Sequence, residues 1–130
     1  MREIKIGSVG RAETIVKSSN LAVNMGSGSL EVFATPAMVA LMEKSATNAI
    51  EEFLENGETS VGTAINISHV SATPLTVAVC ATAEVTEVNG REITFKVSAS
   101  DSTGLIGEGV HKRFIVGIEK FMAKALKKAD

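Results

Sequence analysis

The first strong periodicity along the chain is helical. Beginning at Thr35-Pro36, the apolar residues Met38, Val39, Met42, Ala46, Ala49, Ile50 and Phe53 recur every three or four positions, while Lys44, Asn48, Glu51 and Glu55 fall on the opposite side. This pattern predicts one long amphipathic helix. Thr35 suits its N-cap, Pro36 suits a first-turn position where a missing N–H costs nothing, and Asn56-Gly57 suits the stop.

Beyond residue 58 the period becomes two. Thr59 to His69 is predicted as a strand with Val61, Ile65, Ile67 and His69 on one face and Gly62, Ala64, Asn66 and Ser68 on the other. A second strand, Leu75 to Val88, runs into Asn89-Gly90, a two-residue hairpin signal. Its partner, Arg91 to Asp101, sets Ile93, Phe95, Val97 and Ala99 against Glu92, Thr94, Lys96 and Ser98, so one face is dry and the other wet. The last strand, Leu105 to Ile118, carries Gly107, Gly109, His111 and Arg113 on one face and Val110, Phe114 and Val116 on the other, and then enters a short C-terminal helix. With a first strand at Arg11 to Lys17, the order predicts an α+β fold in which one long helix packs on a curved antiparallel sheet. Ser18 to Ser29, rich in small polar residues and Gly, reads as a mobile loop.

Composition narrows this picture. At 130 residues the chain suits a single domain over 1–130. Its aromatic content is 4%, all Phe, so Val, Ile, Ala, Leu and Met must fill the core, and one helix leaves part of the sheet uncovered. A homodimer is therefore expected. A net charge of -2 offers no footprint for nucleic acid, and Lys120, Lys124, Lys127 and Lys128 read as a solvated helix end. No stretch is apolar enough for a signal peptide or a membrane span, so a cytoplasmic protein without membrane association is expected. The single Cys80 reads as an inert thiol, and two histidines with one cysteine do not make a zinc site, so no metal is expected.

Three polar residues stand out. Glu43 lies at the flank of the apolar helix stripe, where a carboxylate either finds a partner or bends out to water. Thr35, at a helix start, is placed both to cap and to act where backbone N–H groups favour negative charge. His69 ends its strand on the apolar side, a site for a structural imidazole or a base. The Gly26-Ser27-Gly28 and Gly107-Glu108-Gly109 motifs lack the spacing of a nucleotide phosphate loop.

Four stretches taken together resemble the fluoroacetyl-CoA thioesterase family of hot-dog proteins: Glu31-Val32-Phe33-Ala34-Thr35, Val39-Ala40-Leu41-Met42-Glu43, Gly62-Thr63-Ala64-Ile65 running on to His69 and Ala72-Thr73-Pro74, and Gly107 to Arg113. The resemblance covers roughly residues 31–124. It implies a hot-dog fold, a long central helix wrapped by an antiparallel β-sheet, and hydrolysis of a small acyl-CoA to a carboxylate and free CoA. It also implies a catalytic set of Thr35, Glu43 and His69 and substrate binding by Gly62 and Arg113. In that reading His69 is the general base, Glu43 orients it or attacks the carbonyl, Thr35 contributes its hydroxyl and the Gly62 backbone stabilises the oxyanion. No cofactor is expected, since CoA is part of the substrate. The family's fluoroacetyl-specific member has a longer segment, rich in aromatic residues and Pro, ahead of the Glu31-Val32-Phe33 stretch. Here that segment is Asn20 to Ser29 without an aromatic, which implies a different small acyl group. The alternative is a non-catalytic acyl-CoA or small-ligand binding module. A hot-dog hydratase ranks behind it, because neither histidine has an Asp just upstream.

Overall fold

The computed structural model describes residues 1–129. Strand β1 (Val9–Ile15) is followed by a helical turn α1 (Ala22–Met25), the long helix α2 (Thr35–Ile50), strands β2 (Glu58–His69), β3 (Ala78–Asn89), β4 (Glu92–Asp101) and β5 (Gly104–Gly117), and a C-terminal helix α3 (Ile118–Leu126). The strands form one antiparallel sheet in the order β1-β3-β4-β5-β2, curled around α2. This is the α+β arrangement that the periodicity predicts.

The core lies between the helix stripe and the inner sheet face. Met38, Met42, Ala46, Ala49 and Ile50 of α2 are buried against residues such as Phe95, Val97, Ala81 and Ile115. Close contact is possible because strand glycines face the helix. A Cβ on Gly10 would collide with the Ser45 carbonyl and lie 2.8 Å from Ala49 Cα, and one on Gly107 would lie 2.6 Å from the Met38 sulfur.

Several features depart from the expected outline. Regular helix ends at Ile50 and tightens into a 3-10 turn, Glu51–Phe53, so that Phe53 and Leu54 turn onto the core before Gly57 reverses the chain at φ 85°. β3 starts at Ala78 rather than Leu75, because Thr76 adopts φ 74° in a turn after Pro74. Residues 18–29 are not a loose loop. Leu21 and Ala22 are buried, and the N–H groups of Ala22 and Val23 donate to the carbonyls of Val32 and Leu30, folding the segment on itself.

The most consequential departure is a bulge at Thr63 on β2. Gly62 faces Arg113 of β5, yet Ala64 already faces Lys112, so one residue is extra. Strict alternation grouped Val61 with Ile65, Ile67 and His69; the bulge instead puts Gly62 with them on the helix side and turns Val61 outward beside Phe114. Elsewhere, Cys80 is half-buried, and the residues of α3 and its lysines are exposed. Among the described residues no helix is long and apolar enough to cross a membrane.

Gly10→Ala should lower the unfolding free energy by about 1–3 kcal/mol, because the added methyl overpacks the strand against the α2 backbone. Chemical denaturation checks this, and an unchanged midpoint would mean that helix and strand are less tightly apposed.

Candidate active site

Thr35 is the first residue of α2, but Ala34 is its cap: Ala34 is extended, its carbonyl accepts the Met38 N–H at 3.0 Å, and Pro36 occupies the first turn. The capping role expected of Thr35 is thus taken by backbone, which frees the hydroxyl. Thr35 Oγ1 instead lies 2.7 Å from His69 Nδ1. His69 ends β2 opposite Gly107, whose missing side chain lets Met38 pack down and draws the start of α2 towards the end of that strand.

A second tie runs through the loop, where Phe33 N–H donates to the Thr73 carbonyl at 2.8 Å. Thr73 is fully buried and donates its hydroxyl to Asp101 at 2.8 Å. Hydrogen bonds from the hydroxyl and N–H of Thr103, with that from Thr73, hold the Asp101 carboxyl below its usual range. The Thr35–His69 pair opens on a cavity of about 280 Å³ lined by Ala22, Ser27, Phe33, Val70 and Ala72. Burial pushes the His69 imidazole below its ordinary value, and its Nε2 is buried without a hydrogen-bond partner. The arrangement offers a hydroxyl and a neutral imidazole in contact, the elements of nucleophile activation.

Glu43, Gly62 and Arg113 form a second group. Arg113 is buried at 6% exposure and almost fully engaged. Its Nε donates to Ser60 Oγ at 2.8 Å and its Nη2 to the Ser60 carbonyl at 2.9 Å. Nη1 lies 3.3 Å from Glu43 Oε2 and 3.2 Å from His111 Nε2. A Cβ on Gly62 would sit 2.6 Å from Glu43 Oε2, so glycine makes room for the carboxylate. Burial lowers the Arg113 pKa, and the facing Glu43 charge opposes that shift. Burial also lowers the His111 pKa, and the Arg113 charge adds to this.

Within one chain the two groups do not meet. Glu43 lies eight residues beyond Thr35 on α2, about 12 Å along the axis, and Gly62 lies seven residues before His69 on β2, one of them the bulge, about 20 Å away. Sequence reading missed Ser60 as the main anchor of Arg113, and it noted His111 without a role. The bulge hid Ser60, since plain alternation turns it and Gly62 away from Arg113 and Glu43, whereas His111 already shared a strand face with Arg113. The clue available was a small residue at position 62 opposite a buried arginine.

The family described as fluoroacetyl-CoA-specific thioesterase matches residues 16–119 of this chain. The fluoroacetyl-CoA thioesterase of Streptantibioticus cattleyicolor is 47% identical over 98 residues, which are 75% of this chain and 70% of that protein. A variant of the fluoroacetyl-CoA thioesterase, solved in complex with acetyl-CoA, matches at 36% identity and a TM-score of 0.91, covering 97% of this chain and 99% of that one. A Thermus thermophilus hypothetical protein described as a thioesterase superfamily member matches at 28% identity and a TM-score of 0.89, covering 99% and 97%.

The two depressed imidazoles set a pH dependence of stability. Below the ordinary 6.5, the unfolded chain takes up protons that His69 and His111 resist in the fold, so stability falls as pH drops. Thermal melts between about pH 7 and 5 should show a declining Tm, and His111→Gln should flatten part of that decline. A wild-type Tm independent of pH over this window would contradict the burial argument.

Proposed function

The chain belongs to the fluoroacetyl-CoA-specific thioesterase family and is an acyl-CoA thioesterase of the hot-dog fold, and on that premise we propose that it hydrolyses short acyl-CoAs without fluoroacetyl selectivity, at sites completed by two copies. The observation that carries this reading is the 2.7 Å contact between Thr35 and His69 beside a small cavity. A thioester carbonyl placed there meets a hydroxyl whose proton a neutral imidazole can accept. His69 takes the Thr35 proton as the oxygen attacks, and returns it to the sulfur as CoA leaves. Water, deprotonated by the same imidazole, then releases the carboxylate and regenerates Thr35.

The second group supplies charge. Glu43, held by Arg113, is suited to stabilise the imidazolium, and the backbone at Gly62, beside the bulge, is suited to receive the oxyanion. These groups reach His69 in a dimer. β2 is an edge strand of 12 residues, and from Thr59 to Ser68 it carries neither a charge nor a Pro, which makes it a template for self-pairing. Antiparallel pairing centred on Asn66, with the Thr63 bulge taking a single ladder position, keeps inward residues opposite inward ones and sets Gly62 opposite the partner's His69, and two composite sites result. The cavity is lined by small side chains and one Phe, which supports a short acyl group.

Thr35→Ala, His69→Ala and Glu43→Gln should each cut kcat/KM for acetyl-CoA by about 10²–10⁴, and wild-type rates in all three would sink the site. Mixing His69→Ala with Glu43→Gln chains should restore about a quarter of wild-type activity, since half the dimers are then hybrids with one intact site. No recovery on mixing, or a monomer by sedimentation, would overturn the composite site. Acetyl-CoA and fluoroacetyl-CoA should be used within about tenfold of each other. A much larger preference for fluoroacetyl-CoA would refute the specificity.

A further inference from the structure

We propose that His111 is a positioning residue of the hydrolytic site, acting through Arg113 on the Glu43 carboxylate. This rests on the reading of Glu43 as part of that site. His111 lies outside the Thr35–His69 pair and is 2% exposed. Its Nδ1 lies 2.8 Å from the Ala64 carbonyl, and its Nε2 lies 3.2 Å from Arg113 Nη1. A carbonyl only accepts and a guanidinium only donates, so Nδ1 carries the proton and Nε2 is bare. One neutral tautomer satisfies both contacts.

Each end of this imidazole holds something the site needs. The Ala64 carbonyl is the first ladder position after the Thr63 bulge, so the Nδ1 bond pins the β2 irregularity that turns Gly62 inward. The bare Nε2 fixes the same Nη1 that holds Glu43 Oε2. Ser60 holds the opposite side of the guanidinium through Nε and Nη2. Without His111, Nη1 could swing about the Ser60 contacts and carry Glu43 away from Gly62. The ring itself stacks with Phe95, with centroids 6.0 Å apart and planes at 27°.

Two amide substitutions separate the two ends. In His111→Gln the amide oxygen sits near the place of Nε2 and can accept from Arg113. In His111→Asn the amide nitrogen sits near the place of Nδ1 and can donate to Ala64, leaving Arg113 without that partner. Both lose the ring. Steady-state thioester hydrolysis and thermal melts on both variants provide the test. His111→Gln should keep kcat within about tenfold of wild type, whereas His111→Asn should lose about a further tenfold or more in kcat at a similar Tm. Equal kcat in the two variants, or losses that simply follow Tm, would reduce His111 to a packing residue.

A measurement on the unmutated protein guards against variants that fail to fold. Long-range nitrogen-15 spectra should show one histidine ring protonated at Nδ1 and bare at Nε2 near pH 7, with His69→Gln assigning it to His111. The opposite tautomer, or an imidazolium, would overturn the proposal. Glu43→Gln separates the two levels: if it is fully active, the reading of Glu43 falls, whereas if it is inactive and the His111 variants match each other, only the role of His111 falls.

Discussion

A single helix can be enclosed by five curled strands only where it lies almost on their backbone, and that close approach governs the rest of this molecule. Two strand glycines make it possible. Gly10 seats β1 against the Ser45–Ala49 turn of α2, and Gly107 admits Met38 near the helix start. Between them the methionines and alanines of α2 fill a core that has little aromatic volume to draw on. Once the helix is seated there, the places of its polar residues are fixed: Thr35 at the end of β2, and Glu43 over the middle of that strand.

The division of the polar groups follows from two different rises. A helix advances about 1.5 Å per residue and a strand about 3.3 Å, so residues matched at one point of a helix–strand crossing diverge along it. Thr35 meets His69 and Glu43 meets Arg113, each pair well made and each removed from the other. The strand that carries both Gly62 and His69 is an edge of the sheet, so its outer side is unpaired within the chain. The fold itself is shared with the fluoroacetyl-CoA thioesterase family, and the compact segment at 18–33 forms part of the cavity wall through Ala22, Ser27 and Phe33.

A buried guanidinium is costly unless its donors are used. Arg113 meets that condition with Ser60, His111 and Glu43, so the inner sheet face turns polar towards β2 without leaving the cation stranded. The carboxylate it holds is only part-buried, at 40% exposure of the side chain. The cluster thus presents a part-exposed carboxylate held in place by a buried cation.

Much of the architecture was legible in the residues because it is written in local periodicity. The stripe from Met38 to Ile50 and the alternation of Ile93 to Ala99 each depend on neighbours a few positions away and each is found in the fold, while the hairpin signalled by Asn89-Gly90 forms one residue on, with Gly90-Arg91 as its loop and Asn89 paired with Glu92. The pairing of Thr35 with His69 lay beyond such reasoning, since those residues are joined by the seating of α2 on Gly107. The cap at Ala34 was hidden because backbone took the place that a hydroxyl usually fills. The inward turn of Gly62 was hidden as well, because a bulge is a property of two paired strands and reverses the alternation of only one. The sequence determined which faces are apolar and where the chain turns. Tertiary structure decided which polar groups meet, because that depends on register and on how closely helix and sheet can approach.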